Sequence, residues 1–173
     1  MHFDLQPVLE GEMTELLPLK ESDRDKLFAV ASDPLIWEQH PQRDRYQRHV
    51  FNNFFADSIK SKGTLLVLDS KTKEAIGSSR YYDLNPAQSV AIGYTFLSRS
   101  CWGKGHNQEM KRLMLDHAFQ YVESVIFHVG ENNMRSRKAM EKIGARLVGR
   151  IDRKLADGSP NPSVVFEMTR PTN

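Results

Sequence analysis

The chain has 173 residues, a formal charge of +2 and a single cysteine. That length suits one domain with a sizeable core, the ordinary apolar content excludes disordered and fibrous classes, and one cysteine excludes a disulfide scaffold and points to the cytoplasm. No apolar run approaches the ~18 residues of a membrane span, the N-terminus shows no secretory signal, and the scattered histidines predict no metal site.

In chain order, Met13 to Leu19 reads as a first strand. Ser22-Asp23-Arg24-Asp25 reads as a capping box, with the Ser22 side chain on the N3 amide and Asp25 reaching back. It opens a short helix with Leu27, Phe28 and Ala31 buried, closed by Pro34. A second helix is expected from about Arg43 to Ile59, with Tyr46, Val50, Phe54, Phe51 and Phe55 inward. Three strands follow, Thr64 to Leu68, Ala75 to Tyr82 and Ser89 to Leu97, joined by polar turns short enough for antiparallel hairpins. Met110, Leu113, Met114, His117, Ala118 and Tyr121 recur at helical spacing. Ser124 to Val129 is a strand, and Asn133 to Ile143 a helix ending at Gly144, where a C′ glycine belongs. Ala145 to Ile151 and Ser163 to Met168 complete the set, joined by an exposed loop at 157–162. The order implies an α/β fold with a mixed, mostly antiparallel sheet and helices on both faces, as a single domain over residues 1–173.

The segment between the third of those strands and the next helix carries the chemistry. Gly103-Lys104-Gly105 precedes a helix that begins near His106. The first amides of a helix lack intrahelical acceptors and lie at the positive end of its dipole. Glycines let a phosphate approach that backbone without meeting a Cβ. An ordinary turn is the competing reading. The established nucleotide patterns do not fit: GxGxxG fails at Gln108, and the P-loop pattern fails because His106 and Asn107 follow Gly105.

The strand Ser89–Leu97, then Trp102-Gly103-Lys104-Gly105-His106-Asn107, then Glu131 to Ala145 together resemble the GCN5-related N-acetyltransferase (GNAT) superfamily. The closest likeness is to the branch that acetylates ribosomal-protein N-termini. The resemblance runs from Leu16 to the last strand. It implies an acyl-CoA N-acyltransferase fold with acetyl-CoA (coenzyme A) as cofactor. In the family's pyrophosphate loop, Trp102 takes the Gln/Arg position, Gly105 that of the glycine, and Asn107 the last small position. Lys104 and His106 are expected at the edge of the diphosphate. Phe96 and Leu97 lie on the strand that pairs with the pantetheine arm, and the strand after the helix is expected to splay away from it. A Gly93-Tyr94 pair is compatible with a bend there.

Acetyl transfer needs a neutral amine, a donor for the developing oxyanion and a proton for the leaving thiolate. Asn133 and Ser136 match the family's Asn-x-x-Ser pattern, which implies Asn133 on the pantetheine arm and Ser136 near the sulfur. On the residues alone, Asn132 or Asn133 reads as a helix N-cap and Ser136 as a first-turn polar residue. Glu38 is a candidate base, with His40, His128 or a water relay as alternatives; Cys101 has no recognisable activating partner. The acceptor is an amine, either a small molecule or a protein N-terminus, beside Trp37, Glu38, Tyr81, Tyr82 and the Gly158 loop. The near-neutral charge of those segments speaks against a strongly acidic acceptor. Two other classes stay open: a non-catalytic acyl-CoA-binding module, and a ribosome- or RNA-associated protein using Arg43, Arg45, Arg48, Arg135, Arg137 and Lys138. The mild net charge gives no strong nucleic-acid signal. A homodimer is compatible with the sequence.

Overall fold

Four of the connections between consecutive strands are short turns and three contain helices. The computed structural model describes residues 2–172. The strands are β1 (Leu9–Glu10), β2 (Thr14–Pro18), β3 (Thr64–Asp69), β4 (Ala75–Asn85), β5 (Ser89–Leu97), β6 (Ser124–Gly130), β7 (Arg146–Lys154) and β8 (Pro160–Thr169). The helices are α1 (Arg24–Ala31), α2 (Arg48–Ser61), α3 (His106–Ala118) and α4 (Met134–Lys142). All eight strands join one sheet in the order β1-β2-β3-β4-β5-β6-β8-β7. Its only parallel pair among the described residues is β5 with β6, joined through α3.

The sheet buries a different population on each face. Around α3 lie Tyr81, Met110, Met114, Val125, Phe127 and Phe166. Around α1 and α2 lie Trp37, Phe51, Phe54, Phe55, Leu66 and Phe96. Alternation along β4 divides its side chains between them: the Tyr81 hydroxyl donates to Met114 O on α3 at 2.6 Å, while Arg80 bonds Ser58 of α2. Each of these large apolar side chains contributes about 1.5–3 kcal/mol when fully buried. No helix among the described residues is long and apolar enough to cross a membrane.

Several local expectations need correction. Ser22 sits inside a 3₁₀ turn, and the buried Asp23 carboxylate, not Ser22, takes the Lys20 amide at 2.8 Å. The second helix starts at Arg48 rather than Arg43, because Gln47 is extended (φ −80°, ψ 136°). Asp44 and Arg45, which lie outside the helix, line the central cavity together with His40, Pro41 and Gln42. The expected 157–162 loop is shorter, since β8 already begins at Pro160. Tyr81, expected on the acceptor side, belongs to the core beneath α3. The two-residue strand β1 is too short to leave a periodic signal.

One polar clamp fixes the start of α3. The Glu109 carboxylate accepts from the amides of Glu12, Met13 and Thr14 and from the Thr14 hydroxyl, at 2.7–2.9 Å. It leaves no room at Gly11, where a Cβ would come within 2.7 Å of the carboxylate. Partial burial opposes ionisation, but these hydrogen bonds outweigh it and hold the Glu109 pKa below the usual carboxylate value. A depressed carboxylate pKa stabilises the fold above its unfolded value and loses that contribution as pH falls through the folded one. Glu109→Gln is expected to cost about 1–3 kcal/mol at pH 7, measured by urea unfolding. The deficit should shrink as pH falls through the depressed folded-state pKa, where the wild-type side chain also loses its charge.

Candidate active site

The site begins where two strands part. Ser89, Val90 and Ala91 of β5 pair with Ser124, Val125 and Ile126 of β6, and the ladder stops there. Ile92 to Leu97 and Phe127 to Gly130 continue on diverging courses and line the two sides of one cavity. On its other side β5 stays paired with β4, but with a bulge. Ser78 faces Phe96 and Arg80 faces Gly93, so β5 carries one extra residue. Tyr94, within the bulge, has φ +53°, a left-handed conformation that a tyrosine adopts only under constraint. The cavity holds about 1160 Å³, more than the ~300–1,000 Å³ of a drug-sized pocket. It has room for a long ligand together with a second small one.

At the wide end of the gap lies the glycine segment. Gly103 and Gly105 both have positive φ, +72° and +95°, and Gly105 caps α3. The first helical bond runs from the Glu109 amide to Gly105 O. The amides of residues 103–108 find no acceptor among the described residues. They form a row of donors at the positive end of α3, suited to an anion. The Trp102 indole donates to Leu97 O at 3.0 Å, and the Arg135 guanidinium stacks on its face at 4.0 Å. Gly103, Gly105 and Asn107 line the cavity, whereas Lys104 and His106 do not. Lys104 is exposed. His106 is turned inward, its Nε2 3.5 Å from the Asp69 carboxylate and its Nδ1 buried without a partner. Main-chain donors are therefore what this segment chiefly offers the cavity, beside the side chains of Asn107 and Gln108. Phe96 lines the opposite wall, packed on Trp37 with ring centres 5.0 Å apart.

Deeper in, Asn133 combines both roles read from the sequence. Its carbonyl caps α4 by accepting the Ser136 amide at 3.3 Å, and the residue also lines the cavity. Ser136 lines the cavity too, and its hydroxyl makes no hydrogen bond within the described residues. Glu38 does not join them: it is exposed at the end of a 3₁₀ turn, outside the cavity wall. His40 lies in the wall with its Nδ1 committed to the Gln42 amide at 2.9 Å. Although its side chain keeps some surface, burial first and then the charge of Arg45 push its pKa down to about 3. His128 on β6 shares a 2.8 Å hydrogen bond between its Nδ1 and the Tyr82 hydroxyl. Burial, helped by nearby Arg153, holds this imidazole below the ordinary histidine range. Burial also raises the Tyr82 phenol to about 12. Two arginines that the sequence grouped in a basic face turn inward: Arg45 against Trp37 and Phe54, and Arg135 onto Trp102 and Ile36 O.

A family model for the acetyltransferase (GNAT) domain matches residues 14–146. The chain belongs to the GNAT family. Its fold is shared with a probable GNAT acetyltransferase from Chromobacterium violaceum (TM-score 0.82, 20% identity, 94% of this chain and 86% of that one). It is also shared with the ribosomal-protein-S5-alanine acetyltransferase of Vibrio fischeri (TM-score 0.70, 17% identity, 95% and 97%). The microcin C7 self-immunity acetyltransferase MccE, solved with acetyl-CoA and AMP, has the same fold (TM-score 0.77, 12% identity, 96% and 98%). No curated protein matches the sequence. As a member of that family the protein is an acetyl-CoA-dependent N-acetyltransferase, and the donor row at 103–108 and the parted strands fit that donor.

Lys111 went unrecognised in the sequence. It lies three and seven residues before Met114 and Ala118, on the buried stripe of α3, and that placement was the available signal. Its side chain is 3% exposed. The Nζ donates to Thr95 Oγ1 at 2.7 Å and lies 5.7 Å from the Phe127 ring centre, with no carboxylate in ion-pair range. It braces the bulge from beneath. Burial alone lowers its pKa to about 7. Below pH 7 both folded and unfolded chains carry the charge, and the folded state bears its full desolvation cost. Between about 7 and the unfolded value near ~10.4 the folded chain sheds the proton first, so stability rises with pH. Lys111→Met is therefore expected to raise the melting temperature most at pH 6. The advantage over wild type should shrink steadily toward pH 10, as followed by thermal denaturation.

Proposed function

We propose that the protein transfers the acetyl group of acetyl-CoA to a primary amine, by direct attack in a ternary complex. One observation carries the reading: free helix-entry amides and a half-buried histidine–tyrosine pair open into the same cavity between β5 and β6. Acetyl-CoA supplies the activated acetyl group and, after transfer, a thiolate that needs a proton. The amides of residues 103–108 hold its diphosphate. The unpaired β6-facing edge of β5 from Ile92 to Leu97 and the Asn133 side-chain amide receive its arm, as an added strand would be received.

The remaining groups handle protons. With Nδ1–H donated to Tyr82, the His128 Nε2 is a free base, and its lowered pKa keeps it neutral at pH 7. We assign the acceptor's proton to His128 rather than to Glu38, because His128 lines the cavity and Glu38 does not. The free Ser136 hydroxyl is the donor for the leaving sulfur. The amine itself, small molecule or protein N-terminus, enters between α2 and the β7–β8 loop, where Leu155 to Asp157 line the cavity. The lone buried thiol of Cys101 fits a cytoplasmic protein. The outward residues Leu147, Val148 and Ile151 of edge strand β7 fit a dimer through a second copy.

A panel of amines assayed by thiol release tests the reading. His128→Gln is expected to lower kcat by roughly 10²-fold or more, and to abolish an acidic limb that in wild type lies below pH 6.5. Ser136→Ala should slow turnover while leaving acetyl-CoA affinity within about twofold, since hydrogen bonds that act only during transfer do not contribute to binding. Full turnover in both variants, with chemistry rate-limiting, would remove both residues from the mechanism.

A further inference from the structure

Two guanidinium groups sit in the acceptor half of the cavity without an acid to neutralise them. Arg80 on β4 is only 7% exposed. Its Nε donates to Thr64 Oγ1 at 3.0 Å and its Nη2 to Ser58 Oγ at 2.7 Å, both neutral hydroxyls. Its Nη1 makes no hydrogen bond within the described residues, and the residue lines the cavity. Arg45 lies against the Phe54 ring at 4.2 Å, and Arg80 is 5.9 Å from the same ring. The Arg45 Nε is buried with no partner. Neither arginine has a carboxylate within 4.0 Å among the described residues.

Two like charges gathered in a low-dielectric pocket are costly unless something binds them. Burial, and then repulsion from Arg80, lowers the Arg45 pKa to about 10, so both groups stay charged at pH 7. Asp44 and Asp57 attract Arg45 and Arg80 respectively from beyond ion-pair distance. Arg153 on β7 adds a third positive group, 5.8 Å from the Tyr82 ring centre. Counting formal charge over whole segments hid this. Asp44 and Asp57 line the same cavity, but neither carboxylate comes within 4.0 Å of either guanidinium.

We propose that the acceptor amine carries an oxyanion, a carboxylate or a phosphate, which Arg45 and Arg80 bind. The inference rests on the acetyltransferase reading above and names the acceptor class for that same cavity. Its geometry follows from β4. Arg80 and Tyr82 lie two residues apart on one face, roughly 7 Å along the strand, and Tyr82 holds His128. An acceptor whose amine reaches His128 therefore places a group a few bonds away beside the Arg80 fork. Guanidinium is the side chain best matched to a planar or tetrahedral oxyanion.

The test separates the two sites. CoA is first titrated to saturation by calorimetry, so that the helix-entry amides are occupied. Inorganic phosphate and propionate are then titrated separately into wild type, Arg45→Gln and Arg80→Gln. Saturable binding of at least one anion is expected in the CoA-bound wild type, and which arm responds distinguishes phosphate from carboxylate. Each variant should weaken that binding roughly tenfold, as expected for one charge-assisted hydrogen bond, with CoA affinity unchanged. Arg45→Gln keeps the comparison open should Arg80→Gln lose its fold with the Thr64 and Ser58 bonds. In turnover, β-alanine against β-alaninamide and phosphoethanolamine against ethanolamine should favour the anionic member of the matching pair. No anion binding beside bound CoA, or equal binding in the variants, overturns the proposal. Failure of CoA itself to bind would instead strike the acetyltransferase site.

Discussion

A parallel ladder that ends after three residue pairs is the constraint on which the molecule is organised. β5 and β6 are joined at Ser89–Ala91 and Ser124–Ile126 and then separate. Between its two outer edges, the rest of the sheet spends its backbone donors and acceptors on neighbouring strands. Here they are left facing each other across a gap, and an unsatisfied backbone edge is expensive unless a ligand or water pairs it. The bulge at Tyr94 turns β5 away, Lys111 props it from the α3 side through Thr95, and Trp102 ties its far end through Leu97 O. Each of these contacts keeps the gap open. The positive end of α3 lies at its mouth because the β5-to-β6 crossover must begin there.

Much of this could be seen in the chain beforehand, and what could not has a physical cause. The hairpins, the apolar stripe of α3 and the glycine at the end of α4 follow from local periodicity and turn chemistry, and they appear within a few residues of expectation. The Asn133 cap and the Gly103–Gly105 entry were legible because their meaning lies in adjacent residues. The failures were non-local. α2 starts late because residues 40–45 are pulled toward the cavity rather than wound into a helix. Asp23 displaced Ser22 as the capping group because burial, not spacing, chose it. Tyr81 and Tyr82 are neighbours in sequence, yet one is core and the other faces the cavity, since strand alternation needs a known reference face. Glu38 looked suitable on a loop, but its side chain lies outside the wall, and His128 acquired its partner from a strand 46 residues away.

Charge shows the same division. The balance of +2 over the chain is unremarkable, but its placement is not. Arg45, Arg80, Lys111 and Arg153 line one cavity without a single close carboxylate. Burial lowers the pKa of Lys111 most simply, with no partner to offset it, whereas the arginines keep their charge through their high intrinsic basicity. The positive interior also helps to keep His128 neutral, through Arg153. The proposed anion binding and the proposed unprotonated base would thus share one electrostatic origin.

The central claim is that the diphosphate of CoA rests on main-chain donors at the entry of α3. Backbone amide NMR during a CoA titration tests it most directly. The account predicts that the amides of residues 103–108 shift furthest, moving downfield as they acquire an acceptor, with saturation at a single affinity. Shifts confined to other parts of the cavity, with those six amides unmoved at saturation, would contradict it.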